Sequence, residues 1–235
     1  MAQSQQVLEQ PQERGLLAHP LDALIFLMPL LLFYEVVSIA EPERVLAFDL
    51  LRRFFELFGE AGMWAPGVGV IVILLATHAA SGKGWAIRWK HVGWMYVESA
   101  VWAIPLLALN WAIPLSNGPT TSPGLLARLA LGVGAGVYEE LVFRLILISI
   151  IVMIGVDVLR LGRTSVAMSA ILLSSLAFAA HHCQPIGIEP FESTRFIFRT
   201  MAGVYLALIF WYRGYGSAAG CHAAYNVALV VIGPV

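Results

Sequence analysis

Leu125–Val156 reads LLARLALGVGAGVYEELVFRLILISIIVMIGV, an apolar run with Tyr138-Glu139-Glu140-Leu141-Val142-Phe143-Arg144 set inside it. A spanning helix needs about 20 predominantly apolar residues, so the run is long enough to cross a bilayer. Ionisable side chains within such a helix are costly. Even lenient insertion scales charge roughly 2.5–3.5 kcal/mol for one acid or Arg at its centre. Two adjacent acids and an Arg kept at that cost point to use. The question for the rest of the chain is what could partner Glu139 and Glu140.

The composition supports the membrane reading. The chain has 235 residues, 59% hydrophobic and only 12% charged, with a mean hydropathy of +0.79. Soluble domains carry about 25% charged residues, so polar surface for a soluble fold is missing. Net charge is −1 and no basic block occurs, which argues against a nucleic-acid partner. Cys183 and Cys221 read as two buried free thiols rather than a disulfide framework. The expected class is an all-α, polytopic membrane helical bundle.

Working outward, residues 1–18 are polar and glutamine-rich and read as a flexible extension, with 19–235 as a single transmembrane domain. Pro20 to Ala40 is a first span, too long for a cleaved signal, and its Glu35 suits a helix-packing hydrogen bond. Glu41 to Gly62 alternates Phe and Leu with Arg and Glu at helical spacing. That segment fits either an amphipathic interfacial helix or a loop helix packed on the bundle. Further spans are expected at Met63–Ala80, Trp94–Leu115 with Glu98 inside it, Leu125–Val158, Val166–His182, Ser193–Tyr212 and from Ala218 onward. That makes about seven spans by the length criterion. Trp85, Trp89 and Trp94 sit where an aromatic belt would lie. Gly132, Gly134 and Gly136 are small enough for close helix approach.

Four polar elements fall within the last three of these helices and the Glu-Glu helix. They are Glu139-Glu140, Arg144, His181-His182, and His222 with Asn226 four residues on, sharing one helical face. If the chain turns near Leu161, Glu139 and His182 lie about equally far from the turn. At about 1.5 Å per residue, antiparallel helices then bring them level. Adjacent helical residues point about 100° apart, so the two acids cannot share one task. Glu140 and Arg144 stand in the favourable i,i+4 order. Arg144 therefore pairs with Glu140, which leaves Glu139 as general base. His182 is placed to share its water, and His222 and Asn226 to donate hydrogen bonds to an oxyanion.

Glu139-Glu140…Arg144, then Phe178…His182, then His222…Asn226, on successive hydrophobic spans, resembles the CPBP family. That family comprises CAAX prenyl endopeptidases and bacteriocin-processing and bacteriocin-immunity proteins, and is also called Abi. The resemblance covers about Leu125 to Val235. Each motif is weak alone; their order and setting give them weight. It implies an intramembrane endopeptidase of glutamic type, with Glu139 and His182 activating water, His222 and Asn226 forming the oxyanion hole, and Glu140 with Arg144 in support. It implies a core at about 124–235, no cofactor, and a membrane-embedded or lipid-modified peptide or protein as substrate. His181 is extra to the motif and reads as a capping or packing residue.

Three rivals stand beside this expectation. Glu139, His182 and His222 could serve as zinc ligands with an open position for water, although Asn226 is a poor ligand. Buried acid, His and Arg groups also mark proton- or ion-coupled transporters, although no internal repeat is evident. A non-catalytic immunity protein on the same fold is the third. The expected location is an integral multi-pass protein of the cell (inner) membrane. Lys and Arg are nearly balanced between the two sides, and short loops lean the 160–163 turn toward the cytoplasm.

Overall fold

A computed structural model describes residues 19–40, 65–113, 124–187 and 189–232. The polar N-terminal extension and the Glu41–Gly62 segment lie outside them. The described residues form seven helices: α1 Pro20–Ala40, α2 Ala65–Ala80, α3 Trp89–Ala112, α4 Leu125–Val158, α5 Arg163–His181, α6 Ser193–Arg213 and α7 Tyr215–Ile232. Strand structure among them is limited to one isolated bridge between Cys183 and Glu189. Five of the seven (α1, α3, α4, α5, α6) are long and apolar enough to cross a membrane. The chain is thus a multi-pass membrane protein with an all-α bundle.

The other two helices depart from the expected seven spans in instructive ways. α2 has only 16 residues, so by length it is a short apolar helix. α7 carries His222, Tyr225 and Asn226 within 18 residues. It is enclosed: its residues Tyr215 to Ala223, and Tyr225, are all buried, packed mainly against α4 and α3. A helix surrounded by protein need not present an apolar face to lipid.

α4 is not a regular α-helix. Leu125–Glu140 is α-helical, Leu141–Ile148 winds as a π-helix, Ser149–Val152 returns to α, and Met153–Val158 is again π. π segments are rare and recur beside functional sites. Here the change begins immediately after Glu140 and contains Arg144. Close approach of α4 to its neighbours depends on glycine. A Cβ at Gly136 would meet Ala223 Cα at 2.7 Å, and one at Gly132 would meet Asn226 Cβ at 3.0 Å. α6 and α7 are joined by Gly214 alone, at φ 90°, a conformation open to glycine and strained for other residues.

Candidate active site

The expected partners meet. Glu139 is 6% exposed and Glu140 and Arg144 are fully buried. Arg144 Nη1 lies 3.1 Å from Glu140 Oε1 across one helical turn. Arg144 Nη2 donates to the Gly203 carbonyl on α6 at 3.3 Å. Its guanidinium also sits 4.4 Å from the centre of the Phe178 ring, where the ring's negative face receives a cation.

Glu139 faces two histidines. Its Oε1 is 3.5 Å from His182 Nε2, and its Oε2 is 3.8 Å from His222 Nε2. The other nitrogen of each ring is held. His182 Nδ1 lies 2.9 Å from the Phe178 carbonyl. A carbonyl can only accept, so Nδ1 carries the hydrogen and the neutral ring offers Nε2 as an acceptor. His222 Nδ1 lies 2.9 Å from Glu140 Oε1, again with the oxygen as acceptor. Phe178 packs edge-on to both histidines, with centroids 5.1 and 5.9 Å away. One aromatic ring therefore braces the cation and both imidazoles.

Two residues are more engaged than the sequence suggests. His222 was expected to act as a donor alone, yet it also completes a chain from Arg144 through Glu140. Asn226 Nδ2 donates to the Gly132 carbonyl at 3.0 Å. An amide has two N–H donors, so this bond orients the group and leaves one hydrogen for a ligand. His181 packs against Phe143 and His182. Glu35 accepts a hydrogen bond from the Tyr138 hydroxyl at 3.0 Å. Glu98 pairs with Arg213 and Trp102, away from the site. Cys183 and Cys221 are buried free thiols.

Glu139, His182, His222 and Asn226 all line a cavity of about 400 Å³, together with Phe178 and residues of α3 and α6. Sequence reasoning missed four other polar liners: Asn110, Tyr225, Arg195 and Arg199. The Tyr225 hydroxyl donates to Asn110 Oδ1 at 3.1 Å. Arg195 and Arg199 are four residues apart on α6, a spacing that could have marked them as sharing a face. Among the described residues, no group of three or more His, Cys, Asp and Glu side chains is arranged to hold a metal ion.

A buried carboxylate flanked by two imidazoles, opening on a cavity inside a helical membrane bundle, defines a membrane-embedded polar site. Residues 120–228 match the family model described as Type II CAAX prenyl endopeptidase Rce1-like. Over that segment the chain is similar to the CPBP/CAAX protease family, and the match supports an intramembrane endopeptidase of CAAX type in general. Searches of curated proteins and of solved structures gave no match.

Proposed function

We propose that this protein hydrolyses a peptide bond in a membrane-associated or lipid-modified substrate, using a water activated by Glu139 and His182 without a metal. The observation that carries the reading is the facing pair of acceptors, Glu139 Oε1 and His182 Nε2, 3.5 Å apart. A water between them gives one hydrogen to each and turns its lone pair toward the cavity. Glu139 takes the water's proton as hydroxide adds to the scissile carbonyl carbon. The oxyanion accepts the second Asn226 N–H. His222 Nε2 donates there as well whenever the ring is an imidazolium, because Nδ1–H is already given to Glu140. Glu139 then returns the proton to the amide nitrogen, the C–N bond breaks, and a carboxylic acid and an amine leave. Glu140 and Arg144 position His222 and do not touch the substrate.

Zinc is the competing reading, on Glu139, His182 and His222. The metal-free mechanism is favoured by Asn226, which shares a helical face with His222 and is a poor zinc ligand. The test is purified protein in lipid nanodiscs with a prenylated Cys-aliphatic-aliphatic-X peptide. Glu139→Gln, nearly isosteric, should remove cleavage while leaving the thermal midpoint close to wild type. Exhaustive chelation should leave wild-type cleavage intact. Cleavage that survives Glu139→Gln sinks the general-base role; cleavage lost on chelation and restored by zinc sinks the metal-free one. The cell (inner) membrane is the location proposed.

A further inference from the structure

A second polar cluster, where α1 and α3 both begin, takes no part in the mechanism. α3 reaches the cavity at Leu106 and Asn110; its first turn lies roughly 20 Å away along the axis. Asp22, in the first turn of α1, is buried. It holds Arg88 by three atoms: the backbone N–H donates to Oδ1 at 3.1 Å, and Nε and Nη2 reach Oδ2 at 2.8 and 2.7 Å. His91 Nδ1 lies 3.0 Å from the same oxygen. The loop before Arg88 is anchored as well. Trp85 packs in a T-shaped contact on His78, with centroids 4.5 Å apart. Both ring nitrogens of His78 are buried without a hydrogen-bond partner, so the imidazole is there as a packing surface for Trp85.

This end of the bundle carries a surplus of positive charge. Lys83, Arg88 and Lys90 are all exposed, and Asp22 is the acid set among them. Asp22 engages Nε and Nη2 of Arg88, which leaves its Nη1 hydrogens for another acceptor. His19, just ahead of α1, packs against His91 with centroids 5.2 Å apart. Burial, and then Arg88 and Lys83, push the His19 imidazole down to about 4, a sign of the positive field it sits in. Beyond Lys90 one face of α3 is apolar and open. Trp94, Val97 and Val101 follow at helical spacing and are exposed. Gly93 leaves a notch beside Trp94, since nothing lies within 4 Å of a Cβ built there.

We infer that this end of α3 binds an anionic phospholipid of the phosphatidylglycerol class, its phosphate held by Lys90 and Arg88 and an acyl chain laid along Trp94, Val97 and Val101. The fixed cations match the headgroup in charge, and the apolar strip continues from them in the direction an acyl chain takes. Exposed Trp85 and Trp89 sit at headgroup level, where amphipathic rings are favoured. Lys83 adds to the attraction without having to touch the lipid.

The experiment reads tryptophan fluorescence of the full chain in phosphatidylcholine nanodiscs. Brominated phosphatidylglycerol or brominated phosphatidylcholine replaces a rising share of the lipid, and bromine quenches a ring it touches. The brominated anionic lipid should associate about tenfold or more strongly than the zwitterionic one. Replacing Trp89 and Trp94 by Phe should remove that selective quenching. Lys90→Gln should lower the preference about fivefold, the worth of one basic residue near a charged headgroup, and Lys90→Arg should retain it. Arg160→Gln, at the α4–α5 turn, should leave it unchanged. Equal association of the two lipids overturns the site, as does a preference that survives Lys83→Gln combined with Lys90→Gln. A preference lowered as much by Arg160→Gln as by Lys90→Gln would mean diffuse surface charge and overturn it too. So would its loss on adding inorganic phosphate, which would assign the cations to a free anion. Quenching is read without turnover, so none of these outcomes depends on the hydrolytic reading.

Discussion

Arg144 is the largest side chain among the fully buried ones, and its surroundings explain how a guanidinium stays there. It has an acid at 3.1 Å, a carbonyl at 3.3 Å and an aromatic face at 4.4 Å. Its Nε and Nη1 still lack aligned hydrogen bonds, as does Glu140 Oε2, so the charge pairing carries more of the compensation than directed bonds do. Removing one partner of a buried ion pair is costly because the other charge remains. Arg144→Leu should therefore destabilise the bundle by about 3 kcal/mol. Adding Glu140→Gln should restore part of that loss. Denaturant unfolding in mild detergent measures both, and a double variant no more stable than Arg144→Leu would contradict the pairing. Activity should stay low in the double variant, since His222 then loses the carboxylate that holds its Nδ1.

At the scale of elements, the site is made by α4 and α7 touching at glycine. Ala223 follows His222, and its backbone is what a Cβ at Gly136 would strike. Gly136→Ala should push α7 away by a few tenths of an ångström or more and move His222 relative to Glu139. Cleavage should fall by about 100-fold, the cost of a displacement near 1 Å, with a smaller effect on the thermal midpoint. Gly69→Ala is the control, because nothing lies within 4 Å of its added Cβ and alanine favours the helix. Equal losses in both variants would refute the argument. Much of this level was legible in the chain. Glu140–Arg144 is local, fixed by helical periodicity, and Glu139–His182 follows from counting residues either side of one turn. The small residues at 132, 134 and 136 announced a close contact without naming its partner. The π winding after Glu140 was not legible, since no residue type compels it and tertiary packing selects it. Nor were the second tasks of His222 and Asn226, because their acceptors, Glu140 and the Gly132 carbonyl, lie on another helix. Arg195 and Arg199 escaped notice as cavity residues because they belong to no motif, and only the packing of α6 brings them to the cavity.

For the whole molecule, the decisive feature is that α3 and α6 barely touch, although each packs closely on other helices. The cavity occupies the space between them, with Leu106 and Asn110 on one side and Phe198, Ala202 and Leu206 on the other. The two helices are held together by Glu98–Arg213 at 2.7 Å and by the Tyr205 hydroxyl donating to the Trp102 carbonyl at 2.9 Å. Substrate occupancy should therefore depend on volume between α3 and α6 rather than on core packing. Ala202 borders the cavity, so Ala202→Trp has space to fill and should leave the thermal midpoint within a few degrees of wild type. It should raise KM for the peptide about tenfold, a loss of about 1.4 kcal/mol of substrate binding, with kcat less affected. Ala207, five residues on, is fully buried in the core and does not border the cavity. Ala207→Trp must overpack the bundle and should destabilise it by about 1–3 kcal/mol or more. Opposite behaviour, with Ala202→Trp unfolding and Ala207→Trp only raising KM, would mean that peptide does not occupy the space between α3 and α6.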